Sequence, residues 1–158
     1  MPRLFLDCDG VLADFDAYAI EVLGALPRDF EARHGRREFW RRIAGHEDFF
    51  ARLPLMHDAR ELWDAVAHLH PIILTGTPQG TWAAPQKLRW AAEHFPEARM
   101  ITTMARAKRD HMEAPGDVLV DDTLTYRHLW EEAGGVFVPH RSARETLEAL
   151  RALGFDPR

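Results

Sequence analysis

Five short apolar runs constrain this chain more than any other feature. They are Arg3-Leu4-Phe5-Leu6, Pro71-Ile72-Ile73-Leu74, Arg99-Met100-Ile101, Val118-Leu119-Val120 and Val136-Phe137-Val138. Side chains alternate between the two faces of a strand, so a continuous apolar run fits a strand covered on both faces. Helical patterns separate the later runs. Trp82 to Phe95 carries Leu88, Ala91, Ala92 and Phe95 on one face, and residues 124–133 end at Gly134-Gly135, a helix stop. Residues 142–153 open with Ser142-x-x-Glu145, the pattern of a capping box. Strands alternating with helices predict an α/β fold, a three-layer Rossmann-like arrangement around a mostly parallel sheet.

One interval breaks the alternation. From Asp14 to about Leu69 there is no strand pattern, only helix-like segments punctuated by Pro27, Gly35, Gly45 and Pro54. A crossover between parallel strands needs about a dozen residues, so this interval is an insertion with structure of its own. It follows the carboxyl end of the first strand, where open α/β sheets bind ligands. The expected organisation is a core of residues 1–13 and 70–158 with a helical cap at 14–69. The last helix of that interval, from about residue 59, is expected to pack back on the sheet.

Composition narrows the partners. The 158 residues carry a net charge of −5, which gives no global argument for nucleic acid or an anionic membrane. A single cysteine excludes an internal disulfide framework. No run of about 18 apolar residues exists to span a membrane. Leu4-Phe5-Leu6 stops at Asp7, short of the roughly 7–15 apolar residues of a signal peptide. The expected location is cytoplasmic, and nothing in the sequence speaks to oligomeric state. Lys87 and Lys108 are the only lysines among twenty basic residues, so each invites a question.

Carboxylates cluster at the strand ends. The first run leads into Asp7-Cys8-Asp9-Gly10-Val11, and alternation would put Asp7 and Asp9 on one side, with Cys8 turned into the packing. Carboxylates that close repel unless a proton or a cation joins them. The fourth run ends in Asp121-Asp122. Together these form a hard oxygen site suited to Mg²⁺, and aspartate is a known nucleophile toward phosphorus. The second run ends in Thr75-Gly76-Thr77, a hydroxyl and open backbone N–H groups suited to phosphate oxygens. Lys108 follows the third run and could neutralise a moving phosphoryl group, with Arg106 and Arg109 as substitutes beside it.

In this order the motifs resemble those of the haloacid dehalogenase (HAD) superfamily, and the insertion is similar to its type 1 cap. The resemblance implies Asp7 as nucleophile and metal ligand. It implies Asp9 as general acid and base, touching Mg²⁺ through its backbone carbonyl. Thr75 and Gly76 would bind phosphate, and Lys108 would bridge nucleophile and phosphate. Asp122 would be the third metal ligand with Asp121 beside it, though the two can exchange roles. Residues 7–15, 49–55 and 87–95 further resemble the 5′(3′)-deoxyribonucleotidases, in collinear order. Two departures stand out: Thr75-Gly76-Thr77-Pro78 where that family has Thr-Ser-Pro, and Asp121-Asp122-Thr123 where it has Asp-Asp-Arg.

The resemblance implies a Mg²⁺-dependent phosphomonoesterase acting through an aspartyl-phosphate. Its substrate would be a (deoxy)nucleoside monophosphate or a similar small phosphorylated metabolite. Phe15 and Phe49 are the candidates for contact with a base, while Phe39 and Trp40 read as cap core. Trp63, Trp82, Trp90 and Trp130 read as packing residues, and the nine histidines as structural or surface residues. The stretch Arg33-His34-Gly35-Arg36-Arg37-Glu38-Phe39-Trp40-Arg41-Arg42 raises a polynucleotide 3′-phosphatase as an alternative. Against it, Glu38 and Arg42 have the spacing of a solvated surface pair. A non-enzymatic phospho-acceptor module would also use strand-end aspartates. It would not need the general acid/base that Asp9 supplies.

Overall fold

A computed structural model describes all residues, 1–158. Its centre is a five-stranded, fully parallel sheet in the order β3-β2-β1-β4-β5. The strands are β1 (Leu4–Leu6), β2 (Ile72–Gly76), β3 (Arg99–Thr103), β4 (Val118–Asp121) and β5 (Val136–Pro139). Each of the five apolar runs is therefore a strand. β2 and β3 extend to Gly76 and Thr103 because the two strands stay in register to that point.

The strand order reverses beside β1. From β1 the chain moves outward through β2 and β3, then crosses back to place β4 on the other side of β1. Such a switch point opens a crevice at the carboxyl ends of the two central strands. Asp7 directly follows β1, and Asp121 is the last residue of β4.

Alternation assigns side chains to the two faces. Leu4, Leu6, Ile73, Val118, Val120 and Val138 belong to the larger core, with residues of α4 (Ala59–Val66), α5 (Ala83–His94) and α7 (Ala143–Ala152). Phe5, Ile72, Leu74, Leu119 and Phe137 form a smaller core on the other face with Trp130 of α6 (Arg127–Glu132). α7 begins where expected, with Ser142 Oγ accepting from the Glu145 N–H at 3.2 Å. Asp58 adds a second cap by accepting from the Ala143 N–H at 2.7 Å.

The insertion holds α1 (Phe15–Leu23), α2 (Pro27–His34), α3 (Arg36–Gly45) and a 3₁₀ turn at Phe50–Arg52. It leaves and re-enters through one narrow stem. Ala13 and Leu55 form an antiparallel bridge, Asp14 N–H donates to Pro54 O, and Met56 N–H donates to Leu12 O, the last two both at 2.8 Å. The stem closes at residues 54–56, short of residue 69, and α4 beyond it packs against α7. No helix is long and apolar enough to cross a membrane.

Candidate active site

The turn after β1 sets the geometry. The Cys8 carbonyl accepts from the N–H groups of Val11, Leu12 and Ala13, so the chain folds sharply just past Asp7. Gly10 has φ +84°, in the region glycine tolerates best, and a Cβ there would overlap the Asp122 carboxylate. The close approach of two chain segments thus requires glycine at this position. Cys8 turns into the larger core, where burial pushes its thiol well above the ordinary range. It is inert packing rather than a reactive group.

Asp7, Asp121 and Asp122 come together so that one carboxylate oxygen from each lies within 4.8 Å of the others. Lys108 sits among them, donating from Nζ to Asp7 Oδ1 and to Asp121 Oδ2, both at 2.9 Å. Burial works against the Lys108 charge, but Asp7 and Asp121 overcome it and hold its pKa above the usual value. Burial likewise opposes the charge of Asp7, and Lys108 outweighs it, so the Asp7 carboxyl stays below its ordinary range. Burial and the Asp7 charge push Asp121 up to about 7. Burial and repulsion from Asp7 and Asp121 push Asp122, which has no cationic partner, up to about 8.

Three carboxylates that share one ammonium are a site short of positive charge. Each pair about 5 Å apart repels by roughly 3 kcal/mol at an effective dielectric near 20. A divalent cation relieves this better than protons do, and an all-oxygen donor set suits a hard ion. The residues present therefore fit a metal. Other buried aspartates have different work: Asp117 accepts from the backbone N–H groups of Arg3, Glu113 and Ala114, at 2.9–3.0 Å.

Asp9 faces a second lysine. Lys87 Nζ donates to Asp9 Oδ2 at 2.7 Å and to Thr75 Oγ1 at 2.9 Å, and lies 4.5 Å from the centre of the Phe50 ring. Burial, partly offset by Lys87, raises the Asp9 carboxyl above its ordinary value. Its Oδ1 is buried without a partner. The Asp9 side chain is absent from the three-carboxylate cluster.

Lys87 is the site residue that sequence reasoning missed, although a signal existed. It lies on the buried stripe of α5 with Ala83, Trp90 and Ala91, at i, i+4, i+7 and i+8, and is only 2% exposed. A lysine on such a stripe demands a buried acceptor. The insertion is tied to the same helix, since Trp90 Nε1 donates to Leu53 O and Phe50 N–H donates to Gln86 Oε1.

Above these groups opens a cavity of about 1140 Å³, lined by Asp7, Asp9, Gly76, Lys108, Asp121 and Asp122 among others. Thr75 is buried beneath it against Lys87, so Gly76 and Thr77 form the wall there. Phe15 lines the cavity. Phe49 does not, which corrects the expectation that it meets a substrate. Phe49 is fully buried and packs edge-on against Phe15 and Phe50, and Phe50 takes the wall position. Trp82, expected to be packing, also faces the cavity, as do Phe39 and Trp40. Of the nine histidines only His140 lines it, with Nδ1 2.7 Å from Thr146 Oγ1.

No protein-family model and no curated protein matches this chain. Among solved structures, a hydrolase from Pseudomonas syringae superposes with a TM-score of 0.53. The match covers 96% of this chain and 99% of that one at 14% sequence identity, and it is a likeness of fold.

Proposed function

We propose that this chain is a Mg²⁺-dependent phosphomonoesterase of the HAD type, acting on a (deoxy)nucleoside monophosphate or a similar small phosphate ester. The observation that carries this reading is the meeting of Asp7, Asp121 and Asp122 at the switch point, with Lys108 bridging Asp7 and Asp121. The fold likeness to a hydrolase agrees with it. Residues 14–54, closed by the stem, would act as the cap.

In this mechanism Asp7 attacks phosphorus. The new bond joins a carboxylate oxygen of Asp7 to phosphorus while the bond from phosphorus to the ester oxygen breaks. Asp9 delivers a proton to the departing oxygen, and its raised pKa suits that task. Water then attacks the aspartyl-phosphate, Asp9 takes its proton, and phosphate leaves with Asp7 restored. Lys108 balances charge as the phosphoryl group arrives, and the Gly76 and Thr77 backbone, at the cavity wall, would receive its oxygens. Asp7, Asp121, Asp122 and the Asp9 carbonyl would hold Mg²⁺, whose charge offsets repulsion between a carboxylate nucleophile and an anionic ester. Phe15 and Phe50 offer aromatic walls for a base.

The test is phosphate release with Mg²⁺ from nucleoside 5′- and 3′-monophosphates, sugar phosphates and p-nitrophenyl phosphate. Turnover that EDTA and Asp7→Asn both abolish is expected. A folded protein that neither binds Mg²⁺ nor releases phosphate would sink this reading.

A further inference from the structure

Of the eighteen arginines, five pair with a carboxylate and thirteen do not, and five of those thirteen line the cavity. Arg3, Arg41, Arg89, Arg127 and Arg144 each pair with a carboxylate on the outer surface. Arg36, Arg37, Arg106, Arg109 and Arg141 line the cavity, and none of them has a carboxylate oxygen within 4.0 Å. Partners are not lacking, since Asp14 and Asp16 line the same cavity. Five arginines from three chain segments therefore line one space without a carboxylate partner.

The pair on α3 is the most telling. Gly35, at φ +86°, separates α2 from α3, and Arg36 and Arg37 form the first turn of α3 on the cavity side. Glu38, the nearest acid in sequence, is taken by Arg41, and Arg42 lies over the Phe30 ring at 5.6 Å. The expected pairing of Glu38 with Arg42 is thus replaced, and the basic stretch is not wholly a solvated face. Two of its arginines belong to the roof of the site, on a different element from the strand ends that carry the aspartates.

A single phosphoryl dianion at the strand ends already meets Lys108 and the metal that the carboxylates would hold. It does not call for five further arginines. The cavity is also larger than the roughly 300–1,000 Å³ of ordinary small-ligand sites. Guanidinium groups bind phosphate oxygens in a bidentate fork, and that geometry is what distinguishes them from point charges. Phe15, Trp40, Phe50 and Trp82 add flat apolar surface in the same space.

We propose that the leaving group is itself anionic: the substrate is a small bisphosphorylated, ring-bearing molecule of the nucleoside bisphosphate class. One phosphoryl group lies at Asp7 and the other is held by Arg36 and Arg37. This rests on the phosphomonoesterase reading above and adds the second phosphate subsite. Elements of the insertion, the 76–82 loop and the 3₁₀ run Ala105–His111 ring the cavity. Walls contributed by three segments suit a compact molecule bound among them.

The test compares a nucleoside 5′-monophosphate, the corresponding 3′,5′-bisphosphate and a 3′-phosphorylated oligonucleotide. Each is assayed with the full chain in Mg²⁺ and with the Arg36→Gln/Arg37→Gln double variant. The expected kcat/KM for the bisphosphate exceeds that for the monophosphate by tenfold or more, and the ratio falls to about one in the double variant through KM. Equal kcat/KM in the wild type, or a preference that survives in the double variant, overturns the proposal. So does a preference for the oligonucleotide over the bisphosphate. Calorimetric binding of the two nucleotides to Asp7→Asn and to Asp7→Asn carrying the Arg36→Gln/Arg37→Gln pair decides the subsite without turnover. If neither the nucleotides nor p-nitrophenyl phosphate show Mg²⁺-dependent turnover, the enzymatic reading fails, while tighter binding of the bisphosphate, lost with the arginines, still supports the subsite.

Discussion

The chain's only two lysines serve two aspartates two residues apart, and they do so differently. Lys108 shares its ammonium between Asp7 and Asp121, in a cluster where all three side chains are 9% exposed. Lys87 is deeper still, at 2%, but its partner Asp9 keeps 28% of its side chain accessible. One half-site is a closed electrostatic knot that needs more positive charge. The other is a carboxylate that lines the cavity, with Oδ2 held by Lys87 and Oδ1 buried without a partner. A nucleophile must be kept ionised and fixed, whereas an acid/base must reach both substrate and water. The difference in burial suits the difference in proposed task.

Substitution at the two aspartates gives the largest contrast. Asp7→Asn should lower turnover by roughly 10⁴–10⁶-fold. Asp9→Asn should lower the steady state by about 10²–10⁴-fold yet release one equivalent of p-nitrophenol in a burst, because an aryl oxide leaves without protonation. Rapid-mixing absorbance separates the two. Equal losses with no burst would erase the division of labour.

The lysines come next. Lys108→Met leaves Asp7 and Asp121 without their ammonium, and breaking such a buried pair costs about 3–5 kcal/mol. Denaturant titration should show that loss, with part of it recovered in Mg²⁺. Lys87→Met should cost less, about 1–3 kcal/mol, since Asp9 can turn to water. Its signature is kinetic: alkyl phosphates should slow about ten- to a hundredfold more than p-nitrophenyl phosphate. A uniform slowing would make Lys87 a packing residue only.

The smallest effect is on pH. Asp121 and Asp122, pushed up to about 7 and about 8, hold protons in the folded protein that the unfolded chain, at the ordinary value of 3.8, has released. Without metal, stability should fall as pH rises from about 4 and level off above about 8. Mg²⁺ displaces those protons, so it should raise Tm more at about pH 8.5 than at about pH 6. Thermal melts at both values with and without Mg²⁺ check the sign.

Much of this was legible in the sequence because strand burial and strand-end acids leave local traces. All five strands could be found from apolar runs, and the aspartates from their positions just past the first and fourth of those runs. The features that escaped depend on contacts between distant segments. The stem at 54–56 joins Leu12 to Met56 through the backbone, which no side-chain pattern announces. α6 begins at Arg127, not near Leu124, because the Asp121 carboxylate captures the Thr123 N–H at 3.0 Å and holds a turn there. Phe49 and Phe50 are neighbours with the same ring, and only packing against Phe15 and Tyr18 decides which one is enclosed. Lys87 was within reach, had the lysine on an apolar stripe been weighed as heavily as the acids.

The placement of both lysines has a consequence for labelling chemistry. An amine-reactive reagent meeting the native chain finds neither lysine open, because both ε-amino groups are sealed beneath the aspartates. Acylation of Lys87 or Lys108 can therefore proceed only as fast as the site opens. Mass spectrometry of two peptides would time that opening residue by residue, and a ligand that closes the site would slow both clocks.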